Sequence, residues 1–343
     1  MARVASKLKR SFSRQSCGTG PVFRGQGLSM VEVAGIARES VFSYRYRLED
    51  HPLKESVCRC GILLPVMLIR KDRLAEVVAG HKRLAAARAL GIKRIPAFFI
   101  EGKTSARDLF LISLISNWKQ DVPDMDRVTA SVKALREFRL SEDEVREIVL
   151  PLLGLSPERP VLTLYLKAHA LSASLKDCIW EKKIPFRASA FLLNYSRSGQ
   201  ECFARIAGRV VKFSTSQCFQ SAEWLWDICK REGQSLRIIL GRGDFRKILR
   251  HKQMDPRTKA DRFFDAVRKY RFPEFSSFLG KFEDLRSRIS GAGPMMRVEP
   301  IPGFEEPGLD VSARLRSREE LEGFIAKLAE SRPALNSLFD FML

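Results

Sequence analysis

The sequence predicts an α+β protein: a small mixed α/β unit near the front, an all-α region through the middle and a small strand–helix element at the end. Three observations carry this. Short apolar runs alternate with helical patterns between residues 31 and 118, as in a small α/β unit with a mixed sheet. From Met125 to Arg286 apolar residues recur at helical spacing and strand patterns vanish. A Gly/Pro-rich stretch, 290–308, then separates an alternating run, Leu309–Leu315, from a last helical pattern, Arg318–Ala329.

The α/β unit reads element by element. Val31-Glu32-Val33 is a short strand. Leu53 to Cys60 is a helix stopped by Gly61. Pro65–Ile69 and Leu74–Val78 are apolar strands joined by Lys71-Asp72-Arg73. His81–Leu90 is a helix stopped by Gly91, Ile95–Ile100 a strand and Ser105–Trp118 a helix. Farther on, Asp126–Arg139 is amphipathic. Ser141-Glu142-Asp143-Glu144 is a capping box, in which serine and Glu144 satisfy each other's backbone N–H groups. Val145, Ile148, Val149 and Leu152 share the next face. Gly154-Leu155-Ser156 is a tight turn and Val161–Leu171 a second helix. Helix, glycine turn and helix at this spacing fit a helix-turn-helix over Glu142–Leu171. On its second helix and just before it, Arg159, Thr163, Tyr165 and Lys167 are the candidate DNA contacts. Later helices are Leu175–Lys182, Pro185–Leu193, Glu201–Val211, Ser221–Glu232, Phe245–Lys252 and the aromatic-rich Asp261–Arg286. Trp224 and Trp226 are expected in the core, because their helix needs an apolar face. The domains expected are a disordered basic arm 1–27, the α/β domain 28–124, a helix-turn-helix-like domain 125–198, a helical domain 199–290, and a linker with a small C-terminal element 291–343.

Composition narrows the function. The 343 residues carry 60 Lys+Arg against 40 Asp+Glu, a formal charge of +20. Such an excess points to a polyanionic partner, above all nucleic acid. The seven cysteines are odd in number and share no repeated spacing, and Cys58-Arg59-Cys60 has no second pair to complete a zinc site. Reduced thiols in a cytosolic protein are the expectation. No apolar run approaches the roughly 18 residues of a membrane span.

The densest chemistry lies in Ala79-Gly80-His81-Lys82-Arg83. A strand runs into a glycine, and two basic side chains open an alanine-rich helix. A helix N-terminus offers unpaired N–H groups and partial positive charge. Glycine permits close backbone approach, and Lys and Arg add full charges. The segment is a phosphate cradle in outline.

These features in order resemble the ParB/RepB/Spo0J family of partition proteins. Leu53-Lys54-Glu55-Ser56-Val57 followed by Gly61-Ile62-Leu63-Leu64-Pro65-Val66 is similar to its first box. Gly80-His81-Lys82-Arg83 is similar to the second, usually Gly-Glu-Arg-Arg, and Ile95-Pro96 closes that region. Leu114-Ile115-Ser116-Asn117-Trp118-Lys119-Gln120-Asp121 is similar to the third, usually Glu-Asn-x-x-Arg. Ala168-His169-Ala170-Leu171 and Ile184-Pro185-Phe186-Arg187-Ala188-Ser189-Ala190 resemble the helices that follow. Coverage is about residues 30–195.

The resemblance implies a ParB/sulfiredoxin-like N-terminal domain, binding to double-stranded DNA, a homodimer, and CTP with Mg²⁺ as cofactor. Gly80, His81, Lys82, Arg83 and Asn117 would form the nucleotide site, with Asn117 near the metal. The basic arm would meet a ParA-type ATPase. Three positions depart from the pattern: His81 and Ser116 stand where acids are usual, and Gln120 where the third box has Arg. A serine does not replace a carboxylate on a hard cation, so CTP hydrolysis is not expected and no catalytic residue is assigned. The sulfiredoxin enzymes share the fold but need a cysteine in the glycine loop, where this chain has His81. The expected function is therefore a ParB-type DNA-binding protein of chromosome or plasmid partition, or a related regulator. The alternatives are a CTPase-like enzyme and a self-associating scaffold.

Overall fold

The computed structural model describes residues 27–71, 73–101, 104–117, 121–290, 297–301 and 308–342. The basic arm, Asp72, residues 118–120 of the third box and most of the expected linker lie outside them.

Near the front, β1 (Ser29–Glu32), β2 (Val66–Lys71), β3 (Leu74–Ala79) and β4 (Arg94–Phe99) form one mixed sheet in the order β1-β4-β2-β3. The β2–β3 and β1–β4 pairs are antiparallel and β2–β4 is parallel, with Val66 opposite Ala97. The parallel pair requires the crossover that α2 (His81–Ala89) supplies between β3 and β4. α1 (His51–Cys60) packs beside α2, and Asp50 caps it by accepting from the Leu53 N–H at 3.0 Å.

Strand β3 carries apolar residues on both sides, with the buried Glu76 paired to Lys71, because it is covered on both faces. Val77 joins Leu84 and Ala87 of α2. Val78 joins α3 (Ala106–Ile115), α4 (Asp124–Arg136) and the helix that follows. A continuous apolar run is what a doubly buried strand requires.

The capping box at Ser141 forms as the sequence predicts and opens α5, which runs over 142–152. Pro151 does not end this helix. Its backbone widens into a π turn at Val145–Val149, which contains Glu147, whose carbonyl the proline ring would crowd in a regular α-helix. Gly154, at φ 74°, makes the turn into α6 (Arg159–Ala168). Pro160 occupies the first turn of α6, where its missing N–H removes no helical bond.

The remaining helices are α7 (Ala173–Trp180), α8 (Ser189–Leu192), α9 (Arg197–Arg205), α10 (Thr215–Glu232), α11 (Leu236–Ile239), α12 (Gly243–Arg250), α13 (Pro256–Arg271) and α14 (Pro273–Ser290). One apolar core runs from Met125 to Val267 through them, and so crosses the expected boundary at 198/199. Trp224 and Trp226 are half-buried against it. Trp224 stacks on Phe264 at 5.1 Å, and Trp226 meets Tyr195 edge-on at 5.4 Å.

Three local expectations are corrected. Asp261–Arg286 is not one helix, because Phe272 leaves helical geometry before Pro273, which disfavours the α conformation in its predecessor. Within the expected linker, Arg297–Pro300 forms β5 and pairs antiparallel with β6 (Leu309–Ser312), which ends three residues earlier than its alternation suggests. After α15 (Arg318–Glu330) the chain continues as a further helix, α16 (Arg332–Met342). It returns onto α14 through Leu338, Phe282 and Val298. This C-terminal core is small, and α15 buries none of its residues.

Candidate functional site

The strand–glycine–helix segment forms the wall of a cleft of about 390 Å³. Gly80 is its hinge, at φ 97° and ψ 22°. A Cβ there would lie 2.8 Å from Val66 Cγ1, inside van der Waals contact, so both the dihedral and the packing demand glycine. With no side chain at the cap position, α2 presents its first turn uncapped toward the cleft. Lys82 and Arg83 follow on that turn. The Lys82 Nζ sits 3.0 Å from Asp50 Oδ2. The Arg83 guanidinium donates to the carbonyls of Leu64 and Pro65, the latter at 2.8 Å, and so ties α2 to the entry of β2.

His81 lines the same cleft and is 8% exposed. Its ring hydrogen-bonds the Val77 backbone, while Nε2 has no partner. Burial, followed by the nearby charge of Arg45, pushes its pKa down to about 4, with Lys133 and Arg83 adding to the effect. His81 is therefore neutral at pH 7. It brings a buried, unmatched ring nitrogen to the site rather than a positive charge.

The floor is an ionic network. Arg45 donates to Asp126 Oδ2 at 2.8 Å and to Asn117 Oδ1 at 2.7 Å. Asp126 is fully buried and also accepts the Tyr46 N–H at 2.7 Å. Burial raises its pKa despite those donors. Asp50 behaves oppositely: burial works against its charge, but Lys82 and the Leu53 N–H outweigh it and hold the carboxyl below its usual value.

The donors do not fit a protein-held Mg²⁺ at the third box. Ser116 Oγ donates to the Ser113 carbonyl at 2.8 Å, and Asn117 Oδ1 is occupied by Arg45. Of the lining carboxylates, Asp50 is engaged by Lys82 and Asp121 lies on the rim, 3.9 Å from Arg127. Among the described residues no group of three His, Cys, Asp or Glu side chains could hold a metal.

The structure thus brings Gly80, His81, Lys82, Arg83 and Asn117 together, as the sequence predicts. It also adds Arg45 and Asp50. Asp50 was legible as a helix cap followed by Pro52. Arg45 was not, because the segment around it has no periodic pattern.

The four residues on α6 divide. Arg159, Thr163 and Lys167 are exposed and lie one turn apart each, spanning about 12 Å of helix. Thr163 Oγ1 donates to the Arg159 carbonyl at 2.9 Å. Tyr165 is corrected: it lies in the core, stacked on Phe186 at 4.4 Å, with its hydroxyl donating to Asp124 Oδ1 at 2.9 Å. Its position in the helix puts it on the face that packs against α4, so it cannot touch a base.

No family model matches the chain. A protein of Thermus thermophilus named "Probable plasmid-partitioning protein ParB" is 36% identical over 109 residues, 31% of this chain and 35% of the relative. The "Chromosome-partitioning protein ParB" of Myxococcus xanthus is 25% identical over 201 residues, 57% of this chain and 65% of the relative. The chain thus spans less than two thirds of either. Among solved structures, C-terminally truncated ParB of Caulobacter crescentus complexed with CTP-γ-S matches with a TM-score of 0.25 at 14% identity, over 54% of this chain and 100% of that one. The sequence relatives bear out the ParB-type resemblance.

Proposed function

We infer that this ParB-type chain is a double-stranded DNA-binding protein that acts in chromosome or plasmid partition, or in a related regulatory role. The observation that carries this is α6: Arg159, Thr163 and Lys167 stand exposed on the second helix of a helix–glycine turn–helix, in a chain of charge +20. Phosphate contacts would position the helix and side chains at its start would read base edges. The test is duplex binding by fluorescence anisotropy between about 50 and 200 mM salt, with genome-wide recovery of bound DNA to locate the site. Affinity should fall steeply with salt. Absent or salt-independent binding would overturn the reading.

The cleft is proposed to take the triphosphate of a nucleotide, CTP by family resemblance. Gly80 allows close approach, Lys82 and Arg83 supply charge, and the unmatched His81 Nε2 is a second, independent sign of a ligand. No hydrolytic step is assigned, because Ser116 and the neutral His81 offer no carboxylate to fix a cation, and burial makes the His81 ring a weak base for water. Titration with CTP, ATP and GTP, each with and without Mg²⁺, tests both points. Nucleotide affinity unchanged in both Lys82→Ala and Arg83→Ala would place the site elsewhere.

A homodimer is supported by α15, which leaves Leu321, Ile325 and Leu328 exposed. Such a row suits a second copy of the chain. A dimer that survives deletion of residues 291–343 would remove this support. A ParA-type ATPase meeting residues 1–27, and a cytoplasmic, nucleoid-associated location, complete the proposal. Among the described residues no helix is long and apolar enough to cross a membrane.

A further inference from the structure

Four arginines converge on a cavity in the helical region, beyond the stretch that resembles the family. Arg205 ends α9, Arg237 lies on α11, and Arg246 and Arg250 stand one turn apart on α12. They line a cavity of about 550 Å³ that no carboxylate enters. All four are exposed. Ile206, Val210, Leu240 and Leu249 supply the apolar part of the lining.

The arrangement follows from packing. Phe245 is fully buried and draws α12 onto the core. Arg246 and Arg250 then share the neighbouring face. Like charges one turn apart oppose helix formation, and here no acid offsets them. Among the described residues none of the four has a carboxylate partner; Arg205 has only the weak acceptor Cys202 Sγ, at 3.6 Å. Nearby arginines differ: Arg271 meets Asp227 at 2.8 Å, and Arg242 pairs with Glu232.

We propose that this cavity is a second phosphate site, filled by phosphodiesters of the DNA backbone. Guanidinium forks match phosphate oxygens in geometry and charge. The contacts are to backbone rather than to bases, so they add grip and register without sequence preference. The choice of DNA as the polyanion rests on the DNA-binding reading above; the anion site itself does not.

The test compares the full chain with Arg246→Ser/Arg250→Ser and, from the other walls, Arg205→Ser/Arg237→Ser. Binding of a random-sequence duplex is measured across a salt series, with thermal melting as the fold control. Each pair should weaken binding roughly tenfold and lower the salt slope by about 1.8, the value for two lost phosphate contacts. An unchanged slope in both pairs makes the arginines an ordinary solvated basic surface and overturns the proposal. Should the unaltered chain bind no duplex, the DNA reading fails, and titration with inorganic tripolyphosphate decides the anion site. Weaker binding in the variants upholds it, and equal binding ends it.

Discussion

Asp50 holds Lys82 at 3.0 Å while its other oxygen caps α1 through the Leu53 N–H, also at 3.0 Å. One carboxylate therefore occupies the cation that a phosphate would use and fixes the start of a neighbouring helix. On the nucleotide reading proposed above, a triphosphate reaching Lys82 would compete with it.

Asp50→Asn should tighten nucleotide binding. Asparagine caps a helix as well as aspartate does, so α1 should hold. The partly exposed ion pair contributes about 1 kcal/mol at most, which sets the gain at roughly fivefold. Calorimetric titration with CTP checks this; equal or weaker affinity in the variant would show that Asp50 does not compete.

Acidification should destabilise the fold through His81. Its pKa falls from 6.5 to about 4 on folding, so the unfolded chain binds the proton more readily. Stability from this group is therefore complete above pH 6.5 and declines as pH falls toward 4. The total loss is about 3 kcal/mol. Melting temperatures of the chain and of His81→Gln, followed from pH 7.5 to 4.5, should converge as pH falls. Parallel curves would remove His81 as the cause.

Gly80→Ala should cost about 2–3 kcal/mol, from the positive φ and the 2.8 Å approach to Val66 Cγ1. In a Val66→Ala background, itself weakened by the cavity it opens, Gly80→Ala should cost only the dihedral part. No cost for Gly80→Ala in that background, read in a denaturant melt, would mean that φ is not strained.

On α6, Arg159→Ser and Lys167→Ser should each lower the salt slope of duplex binding by about 0.9. Tyr165→Phe should leave DNA affinity unchanged and cost about 1 kcal/mol of stability, through the lost bond to Asp124. A Tyr165→Phe chain with normal stability and weakened DNA binding would contradict its place in the core.

Much of the fold was legible because local chemistry agrees with the tertiary result. The Ser141 box, the Gly154 turn and the apolar β3 each state their own structure. The one-helix expectation over Asp261–Arg286 failed because aromatic periodicity continues through Pro273, whereas the backbone does not. Strand β5 was hidden because Arg297-Val298-Glu299-Pro300 is short, and its pairing with Leu309–Ser312 is not a local property. Tyr165 was misplaced because the helix-turn-helix pattern identifies the helix but not which way it faces.

The sequence by itself determined most of the element types, the basic character of the chain and the Gly80–Arg83 cradle. Propensity, periodicity and charge are properties of neighbouring residues. Only the tertiary structure decided the occupancy of that cradle: Asp50 on Lys82, Arg45 between Asp126 and Asn117, and His81 buried and neutral. These relations join residues 32 to 81 positions apart. Charge compensation and desolvation act through space, so the state of a side chain is settled by what folding brings beside it.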